Sequence, residues 1–303
     1  VKRLTYHLIN FLITLNALPA SLKQLYPFTS HFLNVEGGRM HYLDEGEGPA
    51  VLMVHGNPTW SFFYRNVVLK LRSAHRCIVP DHIGCGLSDK PQDFAYRLDN
   101  HIANLKQLIE ALQLESFHLV VHDWGGAIGM AVAEHFHDKV GKIQILNTAA
   151  FRSKRIPLRI NVCRLPFVGE IWIRGCNGFA GAATSMAVAR RLPKAVKQGF
   201  VFPYDNWANR IATHRFVVDI PLTAQHPSYA TLARIEQHLN TLQHKPMQII
   251  WGGQDFCFND HFLTEWKERF PHATVHYFDD AGHYVLEDRQ EDCIRLMRAF
   301  FHA

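Results

Sequence analysis

The chain has 303 residues, with 32 Lys+Arg against 27 Asp+Glu and 20 histidines, for a formal net charge of +5. Hydrophobic residues make up 48% and charged residues 19%, which excludes a disordered, collagen-like or coiled-coil chain. The excess of base is mild and no Lys/Arg run exceeds two residues, which excludes a nucleic-acid footprint.

At the N-terminus, Val1-Lys2-Arg3 precedes a mainly apolar stretch from Leu8 to Ala20. Leu4, Leu8, Phe11, Leu12, Leu15 and Leu18 keep helical spacing. Residues 1–30 are therefore expected to form an amphipathic segment that packs on the body or lies on a membrane surface. The charged start and apolar middle also resemble a cleaved leader. Against that, His7, Asn10 and Asn16 interrupt the run, which is too short to span a bilayer.

From Phe32 the pattern becomes regular. Met40 to Leu43 reads as a strand, and Asp44-Glu45-Gly46-Glu47-Gly48 as the turn after it. Ala50 to Val54 is a continuous apolar run ending at His55-Gly56-Asn57-Pro58, which suits a strand covered on both faces. Trp60 to Leu71 reads as a helix, Arg76 to Asp81 as a strand and Asp99 to Leu112 as a helix. Phe117 to Val121 is a third buried strand, followed by His122-Asp123-Trp124-Gly125-Gly126 and a helix to His135. Lys142 to Leu146 is a further strand. Such alternation predicts an α/β fold with a mostly parallel, doubly wound sheet. After Asn147 the rhythm breaks into Arg-, Pro- and aromatic-rich helical stretches. It returns with strands at Met247–Trp251 and Val275–Phe278 and a last helix from Glu291 to Phe301. The expected organisation is a core in two parts, residues 31–150 and 230–303, with residues 151–229 inserted as a helical cap.

Twenty histidines invite a metal reading. No H-E-x-x-H motif occurs, however, and the spacing of His135-Phe136-His137 does not suit a helical ligand pair. No metal is expected, and most histidines are expected at the surface. Six scattered cysteines, with no CxxC pair, form a reduced inventory that fits a cytoplasmic location. They are expected to be small buried apolar residues rather than nucleophiles.

The chemistry lies at strand ends. Asp123 occupies the strand–turn–helix position of a nucleophile elbow, where a serine hydrolase has Ser. As a plain alternative, Asp is a favoured helix N-cap. Asp255 follows the Met247–Trp251 strand and His283 follows the last strand, so the order Asp123, Asp255, His283 is that of nucleophile, acid and base in α/β hydrolases. A carboxylate attacks an electrophilic carbon without first losing a proton and leaves an enzyme-bound ester. His283, oriented by Asp255, would activate water against that ester or, when protonated, assist a leaving oxygen. Asn147 is neutral and cannot replace Asp255. Backbone N–H groups near Asn57 and Trp124 could form an oxyanion hole, and the Asn57 amide and Trp124 indole could hold a leaving anion. Turn formation at Asn57 and packing at Trp124 are the ordinary alternatives.

His55-Gly56-Asn57-Pro58-Thr59-Trp60, residues 80–91 and His122-Asp123-Trp124-Gly125-Gly126 resemble the haloalkane dehalogenase family of α/β-hydrolase fold. The resemblance covers essentially all of the chain after residue 30. It implies Asp123, His283 and Asp255 as the triad and Asn57 with Trp124 as the halide-binding pair. Residues 147–151, 203–207, 219–222, 256–258 and 282–288 are most similar to one subgroup, the β-lactone decarboxylases of bacterial long-chain olefin biosynthesis. That resemblance implies conversion of a cis-β-lactone with two alkyl chains to a cis-olefin and carbon dioxide, with no cofactor. A hydrophobic small molecule is then the expected ligand, and other enzymes of olefin biosynthesis are expected partners. Membrane contact through residues 1–30 stays open. Hydrolytic dehalogenation is the second reading and epoxide hydrolysis the third, since only Tyr204 and Tyr229 are available in the cap. A catalytically silent receptor would not need an intact triad.

Overall fold

A computed structural model describes residues 18–302. The expected amphipathic helix over Leu4 to Leu18 lies outside them, except for Leu18, which is buried. Eight strands form one sheet: β1 (His31–Val35), β2 (Gly38–Glu45), β3 (Ala50–Val54), β4 (Arg76–Pro80), β5 (Phe117–Asp123), β6 (Val140–Thr148), β7 (Met247–Gly252) and β8 (Thr274–Phe278). Their order is β1-β2-β4-β3-β5-β6-β7-β8. Only the β1–β2 and β2–β4 pairings are antiparallel. The five residues of β3 and the six of β7 are all buried, as expected where helices cover both faces of a parallel sheet. The mostly parallel, doubly wound sheet expected from the alternating runs is the one observed.

The helices are α1 (Ala20–Leu25), α2 (Arg65–Leu71), α3 (Leu98–Ala111), α4 (Trp124–His135), α5 (Leu158–Val162), α6 (Val168–Glu170), α7 (Ala180–Met186), α8 (Lys194–Val201), α9 (Ile211–Val218), α10 (Tyr229–His238), α11 (Asp260–Arg269), α12 (Val285–Asp288) and α13 (Gln290–His302). Among the described residues no helix is long and apolar enough to cross a membrane. No strand lies between Thr148 and Met247, where α5 to α9 form a helical layer over the carboxyl edge of the sheet. Helix α10 packs on α3 and α4, with Leu232 and Ile235 in the main core cluster. Asp219 anchors the end of this layer. Its buried carboxylate accepts bonds from Arg97 Nη1 at 2.8 Å, the Leu98 N–H at 2.9 Å and the Ser228 hydroxyl at 2.8 Å.

Three details depart from the sequence reading. Strand β1 was not expected, because its half-buried edge residues lack a clean alternation. Asp44 and Glu45 belong to β2 rather than to a turn, since Arg76 holds Asp44 at 2.7 Å and Arg72 holds Glu45 at 2.8 Å. The histidines are not mainly at the surface. His41, His55, His75, His82, His101, His122, His214 and His283 are buried, and among the described residues only His135, His137, His244, His261, His272 and His302 are exposed.

Among the buried histidines, His55, His82, His101 and His122 act as flat packing rings whose burial favours the neutral form. His82 sits 4.5 Å from His55, and His101 stacks on Phe216 at 4.4 Å with both ring nitrogens unpaired. Burial lowers the pKa of His55, His82 and His122 and brings His101 down to about 3. Each is neutral when folded but protonates in the unfolded chain below the ordinary value of 6.5. Their contribution is complete above that value and is lost as pH falls. For His101 the loss is about 2 kcal/mol between pH 6.5 and pH 5. His101→Phe should therefore be nearly neutral at pH 7.5 and stabilise by about 2 kcal/mol at pH 5, read by urea denaturation at both pH values. An equal effect at both would refute a neutral, burial-depressed His101.

Candidate active site

The parallel strands end along one edge, and the chemistry collects there. Register pairs Val54 with Val121 and Asp123 with Thr148. The loop after β3, the elbow after β5 and the loop after β7 therefore open on the same side. Asp123 turns the chain from β5 into α4 with φ +52° and ψ −126°, a backbone region uncommon for a side-chain-bearing residue. Its neighbours permit the turn: a Cβ on Gly125 would lie 2.1 Å from the Val54 carbonyl oxygen, and one on Gly56 would lie 2.0 Å from Asp123 Oδ1. The Thr148 hydroxyl donates to the Asp123 carbonyl. The Asp123 side chain makes no capping bond into α4, so the plain N-cap reading fails.

The carboxylate is held for another purpose. Oδ1 accepts the Asn57 N–H at 2.6 Å, and Oδ2 lies 3.6 Å from His283 Nε2. On the far side of the ring, His283 Nδ1 donates to Asp255 Oδ2 at 2.7 Å. Asp255 is fixed through Oδ1 by the N–H groups of Cys257 at 2.7 Å and Phe258 at 3.1 Å. Asp123, Asp255 and His283 thus meet in one chain of contacts, and all three are buried. Burial raises the pKa of Asp123, while His283 and the N–H groups of Asn57 and Trp124 oppose that rise. Burial pulls His283 down, but Asp255 and Asp123 outweigh it, and its pKa stands above the ordinary value.

Asn57 and Trp124 both line the cavity beside Asp123. Their arrangement differs in part from the expectation. The Asn57 N–H is occupied by the Asp123 carboxylate, and Asn57 Nδ2 donates to the Thr213 carbonyl at 3.1 Å. The backbone donors therefore serve the Asp123 carboxylate itself. Thr213, on α9, was not legible as a partner of Asn57. Neither was His122, whose Nε2 reaches the His283 carbonyl at 2.9 Å and whose ring lies 4.4 Å from that of His283. Asn147 exchanges two bonds with the Gly252 backbone, at 3.0 and 2.8 Å. It joins β6 to β7 and lies apart from the triad's contacts.

Above Asp123 lies a cavity of about 420 Å³ between sheet edge and cap. Its wall is mainly apolar, with Phe151, Phe179, Val217, Leu232, Phe258 and Phe262 among the lining residues. The only carboxylate on that wall is Asp123, among the described residues. Tyr204 and Tyr229 do not line it; Tyr204 is directed to the Thr59 carbonyl at 3.4 Å and Tyr229 to Arg152 at 3.4 Å.

Residues 49–290 match the family model for the alpha/beta hydrolase fold. The chain belongs to that family. It is 46% identical over 286 residues to a cis-3-alkyl-4-alkyloxetan-2-one decarboxylase of Shewanella oneidensis, covering 92% of this chain and 90% of the relative. It is 34% identical over 270 residues to haloalkane dehalogenase 2 of Mycobacterium bovis, covering 88% and 92%. A crystal structure of a haloalkane dehalogenase from Agrobacterium tumefaciens superposes with a TM-score of 0.81 at 24% identity, covering 89% of this chain and 95% of that one. The chain is thus similar to both enzyme types.

If Asp255 supplies the charge that lifts His283, Asp255→Asn leaves burial as the dominant influence. The His283 pKa should then fall below its value in the parent protein. A histidine-resolved NMR titration of both proteins reads this directly. An unchanged His283 titration would assign the elevated value to another group.

Proposed function

We propose that this protein is a β-lactone decarboxylase that converts a cis-β-lactone bearing two alkyl chains into a cis-olefin and carbon dioxide. The 46% identity to the decarboxylase across nine-tenths of both chains carries this reading. The apolar cavity over a single ionisable nucleophile supports it. In the overall reaction the ring C–O and C–C bonds break, while a C=C bond and the second C=O of carbon dioxide form. No water, oxidant or reductant is consumed.

In this proposal the Asp123 carboxylate attacks the ring carbon that carries the lactone oxygen. Relief of ring strain favours opening, and the product is an Asp123 ester with a neighbouring free carboxylate. The N–H groups of Asn57 and Trp124 hold the ester carbonyl, and the Trp124 indole is available to the released carboxylate. Loss of carbon dioxide then supplies the electron pair of the C=C bond and expels Asp123. Inversion at the attacked carbon, followed by anti departure, keeps both alkyl chains cis. His283 in its protonated form stabilises the departing Asp123 carboxylate, and Asp255 stabilises the imidazolium. An upstream enzyme has to supply so strained a lactone, which makes other enzymes of olefin biosynthesis the expected partners.

Hydrolytic dehalogenation is the second reading, favoured by the Asp123–His283–Asp255 geometry, which would equally direct water at an alkyl ester. Purified protein should release olefin from a synthetic cis-dialkyl β-lactone and little bromide from a 1-bromoalkane of similar size. Bromide release without lactone turnover would overturn the first reading. Asp123→Ala should lower olefin formation by about a thousandfold or more with its circular dichroism unchanged. Activity that survives the change would remove Asp123 as nucleophile.

A further inference from the structure

The mouth of the cavity opens beside a patch of the cap that the proposed reaction does not use. Leu158 is 77% and Phe167 81% exposed, and Leu165, Val168, Ile171 and Trp172 are each about half exposed or more. These residues fall within one short stretch of chain, 158–172. Leu158, Val162, Val168 and Trp172 surround one shallow hollow between α5 and α6, and that hollow shares Arg159, Cys163 and Trp172 with the wall of the main cavity. Arg155 and Met186, both exposed, also reach the cavity wall.

The charges along residues 149–169 have one sign. Residues 149–169 contain Arg152, Lys154, Arg155, Arg159 and Arg164 and no Asp or Glu. Arg152 is paired with Glu236 at 2.6 Å, and the next acid along the chain, Glu170, is paired with Arg174 at 2.6 Å. Lys154, Arg155, Arg159 and Arg164 enter no ion pair among the described residues.

We propose that this face of the cap, Lys154 to Trp172, docks on an anionic lipid bilayer with the mouth of the cavity turned toward the acyl chains. Large apolar side chains ringed by unpaired cations are the composition of an interfacial segment. Leu158 and Phe167 enter the boundary between headgroups and acyl chains, while Lys154, Arg155 and Arg159 meet the phosphates. A second copy of the chain is a poorer occupant, because a two-fold contact through this face sets the same unpaired cations against one another. A dialkyl substrate then passes between bilayer and cavity without crossing water. That last consequence rests on the lactone reading; the docking does not.

Binding and turnover are therefore measured separately on the full chain. Without substrate, the protein is sedimented with vesicles of phosphatidylglycerol and phosphatidylcholine, or of phosphatidylcholine alone. Anionic vesicles should bind it about tenfold or more tightly, and raising the salt from about 50 to about 500 mM should release it. Leu158→Asp/Phe167→Asp should weaken this binding about tenfold or more. Lys154→Glu alone should weaken it about fivefold or more. All variants should keep the far-ultraviolet spectrum and the turnover of detergent-dispersed lactone. Equal binding to both vesicle types, or a double variant that binds like the parent, would overturn the proposal. So would a concentration-dependent dimer in light scattering that the double variant abolishes, since it would give the face to a second copy.

Discussion

An ionised carboxylate at the floor of an oily cavity is the constraint on which the rest of this structure depends. Moving a charge out of water costs several kcal/mol even after relaxation, and an unpaired carboxylate in such a place simply takes up a proton. On the proposed reading, Asp123 can act as a nucleophile only if that tendency is opposed. Three sources oppose it: the Asn57 N–H at 2.6 Å, the Trp124 N–H at the start of α4, and the His283 ring, which Asp255 makes more readily charged. The helix α4 that begins at Trp124 adds the positive end of its dipole. Each source follows a different strand, β3, β5 or β8, so the sheet has to be continuous from β3 to β8 to provide them together.

The same constraint accounts for the strain at the elbow. A side chain placed directly before α4 points into the cavity only if the backbone turns sharply, and Asp123 does so at φ +52°. The flanking strands keep it there. Val54 and Val121 are in register, both wholly buried, and Thr148 ties the Asp123 carbonyl to β6. The stable part of the fold thus holds the strained part in place. His122 extends this logic one residue back. It packs between Phe63 and His283, at 4.4 Å from each, and fixes the His283 backbone from below.

Much of this was legible because the core strands are short apolar runs, each followed at once by its functional residue. Val51–Val54 leads to Asn57, Leu119–Val121 to Asp123, and Ile249–Trp251 to Asp255. Burial on both faces produces such runs, and the chain turning at their ends exposes whatever comes next. The illegible features are those that depend on partners distant in sequence. The Thr213 carbonyl lies 156 positions from Asn57, and no residue type announces a backbone acceptor. The buried histidines misled for a related reason. A ring that is neutral and stacked, as His101 is on Phe216, looks in sequence like a surface titrating group. Edge strand β1 lacked a pattern because its residues are covered only in part.

The arrangement around Asn57 bears on why one constellation can serve two chemistries. A halide expelled by Asp123 departs as a free anion and needs donors that face the cavity. Here Asn57 has already committed a side-chain N–H to Thr213 and its backbone N–H to Asp123. A lactone makes a smaller demand, since its leaving oxygen remains tethered as a carboxylate and then departs as neutral carbon dioxide. The base is biased in the same direction. Hydrolysis of an ester needs a neutral imidazole to take a proton from water, whereas expulsion of Asp123 benefits from an imidazolium facing it. Asp255 at 2.7 Å and Asp123 at 3.6 Å raise the His283 pKa and so shift it toward the charged form. On the proposed reading, the difference between the two reactions lies less in which residues are present than in how far the site leans toward stabilising the carboxylate it releases.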